Sequence, residues 1–158
     1  MIMTQKSLGF LFGESRMKYQ FLPHTADIKF KAFGNSFEEV YENSALALKD
    51  IMYKQDIKAR KKKKIIITGH DKENLLYEFL EEFLFLVETE SFLLSEIKSL
   101  KIEQEDEDDE KSGYRLECEL FGDSGDYEIE AHVKAITYND MYVKEHEGRW
   151  IAQVVVDV

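Results

Sequence analysis

Few side chains in this sequence are spaced to do chemistry, and the most suggestive lie far apart. His24-Thr25-Ala26-Asp27 follows the single proline, Pro23. At the other end the chain closes on Val154-Val155-Val156-Asp157-Val158. Each stretch is weak alone. An Asp after a turn commonly caps a nearby N–H group, and a terminal Asp is commonly solvated. Together they say more. If the strand that Asp27 enters lies beside the strand that ends on Asp157, two side-chain carboxylates meet the α-carboxylate of Val158. Such a cluster repels itself unless a cation or shared protons neutralise it. Hard oxygen donors point to calcium, magnesium or manganese rather than zinc.

Other chemistries find little support. The sequence has no Walker-type glycine run, no GxSxG elbow and no cysteine–histidine pair at zinc spacing. His132 and Lys134 share a strand face, but such pairs are more often solvent-facing polar residues. The acidic run Glu105–Glu110 lacks the spaced ligands and central glycine of a calcium loop and reads as a mobile hairpin tip that repels itself. Lys58–Lys64 contains no aromatic residue to stack on bases. It reads as a solvated strand entrance or an exposed edge, where lysines discourage sheet-to-sheet pairing. Cys118, the one cysteine, falls in register with Tyr114, Leu116 and Leu120 and reads as a buried small hydrophobe. A chain without disulfides fits a reducing, cytoplasmic setting.

The 158 residues, 44% of them hydrophobic, suit one folded domain with a sizeable core. A formal net charge of -11 argues against a broad phosphate-binding face and strong direct nucleic-acid binding. No stretch is long and apolar enough to span a bilayer. Residues 1–16, which include Leu8-Gly9-Phe10-Leu11-Phe12-Gly13, read as a flexible N-terminal extension, and residues 17–158 as the domain.

The elements that must position Asp27 and Asp157 follow from hydrophobic period. Lys18–Leu22 is a short strand and Pro23–Ala26 a turn. Asp27–Gly34 alternates, with Ile28, Phe30 and Ala32 on one face. Gly34-Asn35 breaks the strand. Ser36, with Glu39 three residues on, starts a helix as a capping box. Its apolar face runs through Phe37, Val40, Tyr41, Leu48 and Ile51 to Met52 or Tyr53. Ile65–Thr68 is a strand, Gly69-His70 a break, and Asp71 the cap of a longer helix reaching about Phe92. The two stretches repeat one order: strand, glycine plus one residue, polar cap, amphipathic helix. Glu96–Glu103 and Tyr114–Phe121 flank the acidic hairpin, and Gly122–Asp126 is a loop. Glu128–Tyr138 alternates as a strand, with Ile129, Ala131, Val133 and Ala135 inward. Asn139-Asp140 turns the chain, and Met141–Lys144 pairs with Arg149–Val156. The last strand is apolar on both faces and so belongs in the middle of a sheet. Seven to nine strands and two helices give an α+β fold: a mostly antiparallel β-sheet system with two amphipathic helices packed on it.

Four blocks, in this order, resemble the archease family: Phe21-Leu22-Pro23-His24-Thr25-Ala26-Asp27, Asn74-Leu75-Leu76 leading into Phe79–Leu84, Val133-Lys134-Ala135-Ile136-Thr137-Tyr138, and the terminal Val154–Val158. The resemblance spans Tyr19 to Val158. It implies a non-catalytic accessory protein that activates the tRNA-splicing RNA ligase, promoting guanylylation of the ligase histidine and multiple turnover. It also implies a divalent-cation site on Asp27, Asp157 and the Val158 carboxylate, with calcium placed first and magnesium or manganese after it. His24, Lys134 and Thr137 become candidate partner contacts. The expected state is a cytoplasmic monomer without a membrane partner. Asn139 stands where the family pattern has a histidine, the 122–127 loop is short, and the acidic hairpin lies outside the pattern. A general chaperone or adaptor for RNA-modifying enzymes is the alternative. A stand-alone metal-dependent hydrolase has ligands but no evident base.

Overall fold

Alternating β-branched and aromatic residues build seven strands, and the two capped stretches build two helices, in a computed structural model describing residues 17–24 and 26–158. The expected extension at residues 1–16, and Thr25, lie outside the described residues. The elements are β1 (Tyr19–Leu22), β2 (Ile28–Gly34), α1 (Phe37–Met52), β3 (Lys61–Gly69), α2 (Lys72–Glu90), β4 (Phe92–Gln104), β5 (Tyr114–Ser124), β6 (Ala135–His146) and β7 (Arg149–Asp157). They form a four-stranded sheet ordered β1-β2-β7-β6 and a three-stranded sheet ordered β3-β5-β4, with every neighbouring pair antiparallel. Both helices touch both sheets. The α+β architecture expected from the sequence is the one observed.

β7 lies inside its sheet, as its two apolar faces require, and Val154, Val155 and Val156 are wholly buried. α2 buries Leu75, Leu76, Phe79, Leu80, Phe83 and Leu86. At ~1.5–3 kcal/mol for each large apolar side chain, that stripe dominates what holds the helix in place. Tyr41 of α1 donates its hydroxyl to the Lys72 carbonyl at the start of α2, 2.6 Å away. Phe37 packs between Tyr114 of one sheet and Trp150 of the other, with ring centroids 5.7 and 4.7 Å from its own. Cys118 is buried among the strands, and burial pushes its thiol up to about 12. It is the inert hydrophobe that its register suggests.

Several boundaries differ from the sequence reading, each for a physical reason. α2 stops at Glu90 because Ser91 adopts a left-handed conformation (φ 52°) and its N–H closes onto the Leu86 and Val87 carbonyls. The chain therefore enters β4 at Phe92, four residues before the expected Glu96. Gly122 does not open a loop. It sits in the ladder opposite Leu94, where a Cβ would meet the Leu93 carbonyl at 2.0 Å. Asn139-Asp140 is not a turn between two strands. β6 runs through it with a bulge between Thr137 and Tyr142, and Asp140 takes the left-handed conformation (φ 56°) there. Residues 128–134 alternate in burial as expected but join no ladder. The β6–β7 register ends at Ala135 opposite Asp157, so earlier positions lie past the end of β7.

The basic run enters a strand at a sheet edge. Lys61–Lys64 begin β3, which pairs only with β5 and so forms a sheet edge. Lys62 reaches Glu119 at 2.5 Å, Lys64 reaches Glu117 at 3.8 Å, and Lys63 pairs with Glu90. In the acidic hairpin, Asp106 accepts from the Asp108 amide (3.0 Å) and Asp109 from the Lys111 amide (2.9 Å). Those carboxylates cap their own turns.

Candidate functional site

Register brings the two distant carboxylates to one end of the four-stranded sheet. β2 pairs with β7 antiparallel, with Ile28 opposite Val156 as the last pair; Asp157 is the next residue of β7, and Asp27 lies in the bend just before β2, which begins at Ile28 rather than at the expected Asp27. β6 flanks β7 on its other side, with Ala135 opposite Asp157. Asp157 thus stands at the middle of a three-strand tip. The Lys134 amide donates to the Asp157 carbonyl at 2.8 Å, which ties the incoming segment to the end of β7. Val158 is half-buried and packs against the core.

The β1–β2 connection delivers Asp27. Ala26 takes a positive φ of 67° in this turn, a conformation that costs an L-residue energy and swings the chain sharply into β2. His24 Nδ1 lies 4.0 Å from Asp27 Oδ2. That nitrogen is buried and, among the described residues, has no hydrogen-bond partner, although the His24 side chain keeps 22% exposure. An unsatisfied nitrogen beside a carboxylate is a polar group left ready for a ligand, ion or partner.

The donor chemistry fits a hard divalent cation, since every expected ligand atom is a carboxylate oxygen. Among the described residues, no three His, Cys, Asp or Glu side chains converge to hold a metal ion. The expected set differs in kind, because only Asp27 and Asp157 contribute side chains and its third donor is the main-chain carboxylate of Val158.

The remaining candidates divide. Lys134 is at the tip with an exposed side chain. Thr137 lies two positions into β6 and spends its hydroxyl on the Val155 carbonyl at 2.8 Å. Beside it, Lys29 reaches Asp140 at 3.6 Å, and Gln153 donates to the Asp140 carbonyl at 2.8 Å, so the bulge is fastened across the sheet.

Sequence reasoning missed the α2 residues that hold β6. Glu81 accepts from the Ile136 amide at 3.1 Å, so a side chain completes an edge-strand hydrogen bond. Tyr77 stacks on Tyr138, with centroids 4.3 Å apart and planes 10° from parallel. Asn74 donates to the Tyr138 hydroxyl at 2.8 Å. Burial, and then the Glu81 carboxylate, push the Tyr77 hydroxyl above its usual range. The available signal for Glu81 is its place between Leu80 and Phe83 in the buried stripe.

Residues 19–158 match the model of the archease protein family (MTH1598/TM1083). Protein archease of Methanosarcina mazei is 34% identical over 145 residues, covering 89% of this chain and 96% of its own length. Protein archease of Pyrococcus furiosus is 38% identical over 146 residues, covering 89% and 99%. The solution structure of Methanobacterium thermoautotrophicum protein 1598 superposes with a TM-score of 0.76 at 33% identity, over 89% of this chain and 99% of that one. A crystal structure of a Thermotoga maritima archease, described as a possible chaperone, shares the fold with a TM-score of 0.55 at 17% identity, over 87% and 94%. Among the described residues, no helix is long and apolar enough to cross a membrane.

Proposed function

We propose, from the premise that this chain belongs to the archease family, that it is a non-catalytic activator of a cytoplasmic tRNA-splicing RNA ligase. In this reading it promotes guanylylation of the ligase and multiple turnover. One observation supports the tip reading: Ile28 pairs with Val156 at the end of the β2–β7 ladder, and Asp27 and Asp157 are the next residues beyond that pair. Asp27, Asp157 and the Val158 carboxylate would hold a divalent cation, calcium first, then magnesium or manganese. Bound there, the cation would supply charge neutralisation to nucleotide phosphates in the ligase active site.

The chain's own residues prepare that role. The Lys134 amide fixes the end of β7, and the Lys134 ammonium extends outward to meet phosphate or a partner carboxylate. His24 borders Asp27 with a ring nitrogen that has no hydrogen-bond partner among the described residues. The net charge of -11 favours docking on the basic, RNA-binding face of an enzyme. A second reading, a chaperone or adaptor for RNA-modifying enzymes, draws support from the Thermotoga relative described as a possible chaperone.

The test is a multiple-turnover RNA ligation assay with the ligase from the same source, GTP, divalent metal and substoichiometric amounts of this protein. Wild type sustains turnover, whereas Asp27→Ala folds with an unchanged melting temperature and does not stimulate. Stimulation by Asp27→Ala equal to wild type overturns the metal-tip reading. No stimulation by wild type, with holdase activity toward unrelated clients, favours the chaperone reading.

A further inference from the structure

Two backbone bonds hold the chain where it enters β6, one from each side. The Lys134 amide donates to the Asp157 carbonyl on the β7 side at 2.8 Å. Two residues on, the Ile136 amide donates to the Glu81 carboxylate of α2 at 3.1 Å. β6 is an edge strand with β7 as its one ladder partner, so an amide on its other side needs an acceptor from elsewhere. Glu81 belongs to a row on one helix face, Asn74, Tyr77 and Glu81, spaced by three and four. The first two hold Tyr138, two positions beyond Ile136. Glu81 and Lys134 also line one groove of about 560 Å³, with Phe85 on the helix side and Val133 on the other. Glu81 is half-buried and takes the amide, while the exposed Lys134 ammonium forms no ion pair among the described residues.

We propose that Glu81 is a positioning residue of the tip: by accepting from the Ile136 amide it fixes the backbone that carries Lys134 and leaves the Lys134 ammonium free for a partner. Ala135, the residue between the two held amides, stands opposite Asp157. With one neighbour tied to α2 and the other to β7, the start of β6 cannot slide along Asp157, and the direction in which Lys134 leaves the sheet is set from the helix. What matters is an oxygen acceptor at this point. A side chain without one leaves the Ile136 amide to water and lets the strand start fray. Lys134 must then be ordered during docking, which weakens association. The functional half of this inference rests on the reading of the tip as the surface that meets the ligase; the backbone half does not.

The test compares Glu81→Gln, which keeps an oxygen acceptor, with Glu81→Leu, which does not, in the full chain. Hydrogen exchange is read first. Glu81→Leu speeds exchange at Ile136 and, through it, at Lys134 by about tenfold or more, the worth of one hydrogen bond to a charged group, while Val154 in β7 keeps its protection. Glu81→Gln leaves both amides within about twofold of wild type. In the multiple-turnover ligation assay, Glu81→Leu raises the concentration of this protein needed for half-stimulation by about tenfold and leaves the plateau in place. Added to Lys134→Ala, it has no further effect, because both changes act through one contact. Unchanged Lys134 exchange in Glu81→Leu overturns the proposal, as does a Glu81→Gln variant as impaired as Glu81→Leu. Losses from Glu81→Leu and Lys134→Ala that multiply overturn it too. If wild type does not stimulate the ligase, the ligase reading falls, and Lys134 exchange alone decides whether Glu81 positions the tip.

Discussion

β2 with α1, and β3 with α2, are the same local design placed in two different surroundings. In each, a strand ends on a glycine, one residue follows, and a polar side chain caps a helix. The Ser36 hydroxyl accepts from the Glu39 amide at 3.0 Å, and the Asp71 carboxylate from the Asn74 amide at 2.7 Å. Glu39 then reaches back to the Asn35 amide at 3.1 Å, as Asn74 does to the His70 amide at 3.0 Å. A Cβ on Gly34 would lie 2.5 Å from the Val40 amide nitrogen, and one on Gly69 2.5 Å from that of Leu75. At one constant offset the buried helix positions match: Val40 with Leu75, Tyr41 with Leu76, Ser44 with Phe79, Ala45 with Leu80, Leu48 with Phe83 and Ile51 with Leu86. The surroundings diverge. β2 is flanked by β1 and β7, whereas β3 is an edge. At the same offset, Asp27 at the carboxylate tip corresponds to Lys62 on the solvated edge. Local sequence sets the strand-to-helix connection; the neighbours of each strand decide whether its entrance becomes a site or a barrier.

That equivalence can be broken at three levels. The largest effect belongs to the helix face. Phe79→Ala should lose ~3–5 kcal/mol of unfolding free energy in denaturant melts. Ser44→Ala, at the matched position, removes one hydrogen bond to the Val40 carbonyl and should cost about 1 kcal/mol. Equal losses would mean that the two helices share their core load evenly. The glycines come next. Gly34→Ala and Gly69→Ala should each cost ~1–3 kcal/mol, because backbone atoms must move to admit the methyl group. A neutral result at one glycine and not the other would show that the second connection is only superficially alike. The smallest effect is at Lys62. Its hydrogen bond holds the Glu119 carboxyl below the usual range. That contribution is present above the ordinary glutamate range and is lost as pH falls through the lowered value. Lys62→Ala should lower neutral-pH stability slightly, leave stability below the lowered value unchanged, and so flatten this acid limb of a stability profile. Asp27→Ala, at the equivalent position, should be read in ligation instead.

The sequence was most legible where a residue's role depends on its own segment. Ser36 and Asp71 announce caps, and the double-faced apolar run of β7 announces a central strand. Asp27 and Asp157 could be placed at strand ends from alternation alone. Legibility failed where a partner decides. The alternation of residues 128–134 is that of a strand, but β7 has no position opposite them. Asn139 and Asp140 have turn chemistry, and the fold uses it as a bulge inside β6. Glu81 and Tyr77 lie on a helix that looks simply amphipathic, yet they hold an edge strand through contacts that only the tertiary arrangement creates. The groove at Phe85 was invisible for the same reason, since its two walls come from segments distant in sequence.

The strand order has a consequence for synthesis. The three-stranded sheet is complete once Ser124 has been made, because β3, β4 and β5 are consecutive strands. The four-stranded sheet is not. β2 and β6 are joined only through β7, the last strand in chain order, so neither has that partner until residues 149–157 emerge from the ribosome. One half of the molecule can therefore fold during translation while the other waits, with β2 exposing an edge for most of that interval. The tip that needs Asp27 and Asp157 together is assembled last, so a truncated product would lack it.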